Sequence, residues 1–295
     1  MTGPVLLITN PAARRGRLLE QRAKRALLAA GVEFEVVVSS HPGHAAIVAQ
    51  ERGRDFAAVL TLGGDGTAME VIGALAGTST PVGVLPGGTG NLVARALRTP
   101  RRIELAVPAL LRGEIASVDL GYIPESKRHF AFSSGVGVDA RMIDETDPEL
   151  KRRFGIGAYI HTGVKVGLSR KPFHVRVNVD GETIEREATA LMVANFGTVL
   201  DRLFVLGPGI AQDDGRLDLC VFSPRHSPDV VRIAWRLFRR DFKSDASLLY
   251  RSGREFRIEC DPPQLYQADG ELLGTTPYSV RVEPLAARLL VVRRN

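Results

Sequence analysis

The stretch Ala57-Ala58-Val59-Leu60-Thr61-Leu62-Gly63-Gly64-Asp65-Gly66-Thr67 decides the fold class of this chain. Its first half, Ala57–Leu62, is apolar but for one threonine and does not alternate. A strand with no polar side is buried on both faces, the condition of a strand inside a parallel sheet. Glycines close it, and Ala68–Ala76 reads as a helix. The same succession lies on either side. Before it come the strand Val5–Ile8, stopped by Asn10-Pro11, and a helix marked by Leu18, Leu19, Ala23, Ala26, Leu27 and Ala30, with Gly31 as its stop. The strand Phe34–Val38 and a helix over Gly43–Gly53 follow. After it come the strand Pro81–Leu85 and a helix over Asn91–Leu97. Strands alternating with helices predict a doubly covered parallel sheet that binds ligands at the carboxyl ends of its strands.

Beyond about residue 120 the pattern changes. Phe130–Ser133, His174–Val179, Thr183–Glu187, Ala190–Val193, Leu217–Phe222, Phe256–Cys260 and Tyr278–Val282 read as strands, and Asp180-Gly181 as a hairpin turn. Helical insertions are expected over Pro148–Leu168 and Pro228–Asp241. The fold class is therefore α/β plus β. Residues 1–122, rejoined by about 283–295, form a parallel-sheet nucleotide-binding domain, and 123–282 form a β-sandwich.

At 295 residues and 44% hydrophobic, the chain has the material for two cores. No segment approaches the roughly 20 apolar residues that cross a bilayer. The amino terminus lacks the build of a secretory signal, and Cys220 and Cys260 are far apart, so a cytoplasmic protein with two reduced thiols is expected. The formal charge of +6 favours anionic partners such as nucleotides or an acidic membrane. Nucleic acid is not expected as a partner, since no aromatic-rich or groove-reading motif accompanies the charge.

Gly63-Gly64-Asp65-Gly66-Thr67 joins a strand's carboxyl end to a helix start. Glycines let the backbone approach a phosphate, and the helix terminus favours an anion. Asp65 then suits Mg²⁺ better than phosphate, because two anions repel. The plainer reading is a tight turn with Asp65 as helix cap. A second loop, Leu85-Pro86-Gly87-Gly88-Thr89-Gly90-Asn91, leaves the next strand, and a third, Asn10–Gly16, carries Arg14 and Arg15 either toward phosphate or simply into solvent. None of these is a P-loop. Asp269-Gly270 and Asp214-Gly215 read, on local chemistry alone, as turns. Pro228–Arg240 sets Val230, Val231, Ala234, Leu237 and Phe238 against Arg232, Arg236, Arg239 and Arg240. Such a helix packs its apolar stripe on its own sandwich, the preferred reading, or rests on an anionic membrane. Lys151-Arg152-Arg153 is open to the same two readings. The six histidines form no metal-ligand cluster in sequence.

Taken in order, Asn10-Pro11, Gly63–Thr67, Pro86–Asn91, Gly155-x-x-Ala158-Tyr159, Ala194-Asn195, Asp214-Gly215-x-Leu217-Asp218 and Asp269-Gly270-Glu271 resemble the diacylglycerol kinase catalytic-domain family. That family is similar to sphingosine and ceramide kinases and, more distantly, in fold and in Gly63–Thr67, to NAD kinases. The resemblance implies ATP and Mg²⁺ as cofactors and a nucleotide site in a cleft between the domains. It implies that Asn10, Ser39, Gly63, Gly64, Asp65, Gly66, Thr67, Glu70, Gly88, Thr89 and Asn91 bind the nucleotide. It further implies Asp65 as a metal ligand and Asp269 as proton acceptor, with Glu271 beside the metal. Asp214 with the carbonyls of Ala211 and Arg216 would hold a second, structural Mg²⁺. Two departures stand out: Ser39 replaces a threonine, and Ala12-Ala13 replaces a serine–glycine pair. The expected function is transfer of the γ-phosphate of ATP to a lipid hydroxyl, most simply diacylglycerol, at the inner face of a membrane by a homodimer. The alternatives are an NAD kinase-like enzyme and a nucleotide-binding regulator without activity.

Overall fold

In a computed structural model, described over residues 3–11, 16–137, 172–195, 198–199, 204–205, 211–239, 241 and 243–292, the chain divides into two compact units. One comprises Met1–Val118 and Leu285–Asn295, the other Asp119–Pro284. The helix expected over Pro148–Leu168, Lys151–Arg153, and Arg14 and Arg15 lie outside the described residues.

The first unit is built on β1 (Val5–Thr9), β2 (Phe34–Val38), β3 (Ala58–Gly63) and β4 (Val82–Pro86), in the order β2-β1-β3-β4. All are parallel. Between them run α1 (Gly16–Ala29), α2 (His44–Arg52), α3 (Asp65–Ala74), α4 (Leu92–Ala96) and α5 (Ile103–Leu111). Every residue of β1 and β3 is buried, as their unbroken apolar sequence demands. Val5, Leu7, Leu60 and Leu62 pack with Ala23 and Leu27 of α1 and with Ile103, Val107 and Leu110 of α5. The helix over 103–111 was not anticipated; its leucine-rich sequence contains Pro108. Several boundaries also differ from expectation, two of them at the glycine loops' helices. α3 starts at Asp65 rather than Ala68, and Asn91 is left-handed (φ 50) and stands outside α4. The strand order reverses between β1 and β3, so the loops leaving these two strands flank a topological switch point.

The second unit is antiparallel. β5 (Glu114–Ile123) leads into it and pairs with β6 (Arg128–Phe130). β7 (Ser133–Gly137), β8 (Phe173–Val179), β9 (Glu182–Ala188), β10 (Ala190–Ala194), the short pair β11 (Thr198–Val199) and β12 (Phe204–Val205), and β13 (Leu217–Phe222) follow. Then come α6 (Ser227–Arg239), β14 (Leu248–Gly253), β15 (Glu255–Asp261), β16 (Leu265–Ala268), β17 (Glu271–Thr275) and β18 (Tyr278–Val291). One sheet runs β14-β13-β10-β7-β16-β17. The other joins β9, β8, β15 and the first residues of β18. Val136, Leu191, Val193 and Leu219 of the first sheet share a core with Val175, Val177, Phe256 and Ile258 of the second, the signature of a sandwich. β18 runs far past the expected Val282, and from Leu285 on it belongs to the first unit, where Leu289 pairs with Val82 of β4.

Two expectations fail here for identifiable reasons. Phe130–Ser133 is not one strand, because the N–H groups of Ala131, Phe132 and Ser133 turn to the carboxylate of Asp269 instead of a sheet ladder. Arg236 does not belong to a solvated basic face of α6. It is only 8% exposed and bonds Asp245 at 2.6 Å, the Lys243 carbonyl, and Asp241 at 3.5 Å.

Near the start of this unit His129 Nε2 lies 2.8 Å from Glu283. Burial pushes the Glu283 carboxyl up, but the bond from His129 and the charge of Arg281 outweigh it and hold the group below its usual range. A depressed carboxyl adds stability above its unfolded value, and that stability is lost as pH falls through the folded one. Glu283→Gln is therefore expected to lower Tm at neutral pH, with a deficit that begins to shrink near the unfolded value of about 4.3 and closes only as pH falls through the lower, folded one. A difference in Tm that does not vary with pH would contradict the pairing.

Candidate active site

The two glycine-rich loops of the first unit press directly on each other. Gly63 of β3 is in register with Pro86 of β4, and the Gly87 N–H donates to the Gly63 carbonyl at 3.0 Å. A Cβ on Gly88 would stand 2.6 Å from Gly64 Cα, and one on Gly87 would stand 2.9 Å from the Gly63 nitrogen. Glycine at 87 and 88 is thus demanded by backbone packing, with no ligand needed to explain it. Gly64 differs. Among the described residues a Cβ there would meet only Gly88 Cα, at 4.0 Å. Its backbone, φ −83 and ψ −177, suits any residue.

Gly64 is also the N-cap of α3 and supplies no side chain to cap it. The first N–H groups of a helix have no acceptor within it, and together with the dipole they favour an anion. The start of α4 is treated otherwise: its Val93 N–H donates to Asp65 Oδ1 at 3.0 Å. A Cβ on Gly90 would lie 2.8 Å from Asp65 Oδ2. Asp65 thus joins the two loops. Asn91 closes the second, accepting the Gly88 N–H at 2.8 Å and donating to the Gly88 carbonyl at 2.7 Å. Asn10 Nδ2 donates to Thr67 Oγ1 at 3.0 Å, and Glu70 Oε1 accepts the Gly43 N–H at 3.0 Å. Ser39 ends β2 on the same edge, 7% exposed, its N–H on the Thr9 carbonyl. The structure therefore gathers Asn10, Ser39, Gly63, Gly64, Asp65, Gly66, Thr67, Glu70, Gly88 and Asn91 along the carboxyl edge of one sheet. Thr89 sits exposed on the second loop.

In the second unit, Asp269 and Gly270 have φ of 47 and 95 and form the turn between β16 and β17, the paired left-handed geometry of a tight hairpin. The Asp269 carboxylate accepts the N–H of Ala131 at 2.7 Å, Phe132 at 2.9 Å and Ser133 at 3.0 Å. Asp180-Gly181 repeats the turn, with φ of 49 and 94, and its carboxylate takes the N–H of Arg254 and Glu255 at 2.9 and 2.8 Å. Turn and carboxylate bonding alone do not distinguish a catalytic aspartate from a structural one.

The surroundings do differ. Asn195, fully buried, donates its side-chain amide to the Ala131 carbonyl at 3.0 Å and to the Asp119 carbonyl at 2.6 Å. Its N–H donates to the Phe132 carbonyl at 2.9 Å. Asp119, also fully buried, accepts the Gly215 N–H at 2.7 Å and donates its own N–H to the Gln212 carbonyl at 2.7 Å. One polar chain therefore connects Asp269, residues 131–133, Asn195, Asp119 and the loop holding Ala211, Asp214 and Arg216. Asp214 is exposed and accepts the Arg216 N–H at 3.0 Å. Burial and the charge of Asp214 push the Asp218 carboxyl up to about 6. Glu271 is exposed and ion-paired to Arg128. Among the described residues no three His, Cys, Asp or Glu side chains converge as a metal site.

Asp119 escaped the sequence reading, as did the bonding of Asn195. A signal existed for the first: Asp119 is a lone carboxylate between Val118 and Leu120, and a charge inside an apolar strand is retained only where it has partners.

This architecture matches known proteins over both units. The model for "Diacylglycerol kinase catalytic domain" matches residues 4–123, and the "YegS C-terminal NAD kinase beta sandwich-like domain" matches 133–291. The chain belongs to the diacylglycerol kinase catalytic-domain family. Among its relatives, the diacylglycerol kinase of Bacillus subtilis is 27% identical over 252 residues, covering 84% of this chain and 82% of its own. The uncharacterized protein sll0036 of Synechocystis is 30% identical over 251 residues, 83% of this chain but only 57% of its own length. A crystal structure from Bacillus anthracis superposes with a TM-score of 0.81 at 25% identity, covering 98% of this chain and 95% of its own. No described helix of this family member is long and apolar enough to cross a membrane.

Proposed function

We propose that this kinase transfers the γ-phosphate of ATP to the hydroxyl of a membrane lipid, diacylglycerol or a close relative, at the cytoplasmic face. The observation that carries the reading is the uncapped start of α3, with room beside Gly64 that the described residues leave unfilled. The N–H groups there would hold the polyphosphate, and Asn10, Thr67 and Asn91 would keep the loops around it in place. Ser39, Glu70 and Thr89 would meet the nucleoside end. A single carboxylate, Asp65, fits a Mg²⁺ held chiefly by nucleotide phosphates, which such ions favour over all-protein cages. When bound, that ion, held in part by Asp65, would supply positive charge to neutralise the transferring phosphate.

Asp269 would accept the proton of the attacking hydroxyl, its carboxylate oriented by the backbone of residues 131–133. Glu271 would serve as a further carboxylate of the metal network. Asp214 with the carbonyls of Ala211 and Arg216 would hold a second cation of structural use, an oxygen-only set suited to a hard ion. The assembly is expected to be a homodimer. The test is the purified chain with γ-labelled ATP, Mg²⁺ and a panel of diacylglycerol, ceramide and sphingosine, with NAD alongside. Label in a lipid is expected. Label in NAD, or in no acceptor, overturns the reading.

A further inference from the structure

The burial of Arg236 changes what α6 presents to solvent. At about 100° per residue, Arg232, Trp235 and Arg239 fall within roughly 60° of the helix circumference, while Ile233 and Arg236 are turned inward at 6% and 8% exposure. Trp235 is 59% exposed and is the sole tryptophan of the chain. Arg239 stacks over its ring, 6.0 Å from the centroid, and Arg232 lies one turn away, bonded to Ser247 at 3.0 Å and to Asp229 at 3.3 Å. The segment from Arg225 to Lys243 carries six basic residues, Arg225, Arg232, Arg236, Arg239, Arg240 and Lys243, against two acidic ones, Asp229 and Asp241.

A large aromatic held out to water costs solvation unless something covers it, and a rim of arginines selects a negatively charged cover. Indole with flanking arginines is the chemistry of the lipid headgroup zone, where the ring sits among acyl carbonyls and the cations meet phosphates. We infer that α6 docks this family member on anionic membrane through Trp235, with Arg232 and Arg239 as its electrostatic rim. The choice of a membrane as occupant rests on the lipid-kinase reading. Trp235 replaces the apolar stripe as the inserting side chain, and Arg236 holds the helix to its own unit instead of touching lipid.

The single tryptophan makes the test direct. Emission of the full-length protein is recorded with vesicles of neutral phosphatidylcholine, or of phosphatidylcholine with phosphatidylglycerol, some carrying bromine on the acyl chains. Expected are a red, solvent-like emission in buffer, a blue shift with anionic vesicles alone, and quenching by the brominated ones. Trp235→Ala should weaken cosedimentation on the order of tenfold. Arg232→Ala and Arg239→Ala should each weaken it about fivefold, an effect that fades in high salt. Folding of each variant is checked by its Tm. Cosedimentation without a change in Trp235 emission overturns the inference, as does absence of binding or equal binding to neutral vesicles. Turnover of a short-chain acceptor dispersed in detergent, assayed separately, should be unchanged in Trp235→Ala. If wild-type protein phosphorylates no acceptor, the kinase reading falls, while the quenching result still decides the docking surface.

Discussion

Asp269→Asn is expected to lower lipid phosphorylation about 10²–10⁴-fold, the usual contribution of a positioned general base, while ATP still binds. The substitution is not isosteric in its hydrogen bonding. Oδ1 would keep the N–H groups of Phe132 and Ser133, but the new amide would face the Ala131 N–H that Oδ2 now accepts at 2.7 Å. Two donors opposed in a partly buried site cost about 1–3 kcal/mol, so Tm falls as well. Activity must therefore be read at a temperature where the variant is fully folded. Asp180→Asn supplies the control. It alters the same Asp-Gly turn in the same unit, where Oδ1 alone can keep both backbone donors, and it should leave turnover untouched. The proton-acceptor assignment is wrong if folded Asp269→Asn turns over lipid within a few-fold of wild type. Equal losses in the two variants would reduce Asp269 to a turn residue.

Gly64→Ala separates a phosphate seat from a loop that merely packs. The added methyl meets nothing closer than 4.0 Å among the described residues, and the backbone is already compatible with alanine. Lower entropy of the unfolded chain and a poorer N-cap oppose each other, so stability should stay within about 0.5 kcal/mol of wild type. A phosphate held on the first turn of α3 would meet that methyl. Overpacking of about 1–3 kcal/mol predicts ATP binding weaker by roughly 5–150-fold in calorimetry. Gly88→Ala is the contrast, because its Cβ would lie 2.6 Å from the Gly64 backbone, and it should lose stability and nucleotide affinity together. Wild-type ATP affinity in Gly64→Ala would remove the phosphate from this loop.

The aspartates show where local reading ends. Asp269-Gly270 and Asp180-Gly181 are the same dipeptide, adopt the same turn and both bind backbone N–H groups through the carboxylate. What sets Asp269 apart is Asn195 and Asp119 behind residues 131–133, and those contacts span intervals such as the 138 positions between Ala131 and Asp269. Arg236 and Arg239 make the same point on α6. They are identical residues three apart, yet one is buried against Asp245 and the other lies over Trp235. Helical spacing ranks faces by apolar content and does not foresee a guanidinium drawn inward by an aspartate nine residues on.

By itself the sequence determined the parallel α/β unit, the antiparallel partner that follows and the glycine loops at the strand ends. Those features rest on apolar runs, turn residues and glycines, whose preferences act over a few neighbouring residues. Tertiary structure alone decided that Gly87 and Gly88 serve packing while Gly64 leaves room. It also decided that strand 130–133 breaks to seat Asp269, and that on α6 Trp235 is held out to solvent while Arg236 is drawn in. Each of these turns on which distant backbone or side chain comes within bonding range, a property of the folded contacts that short-range pattern does not encode.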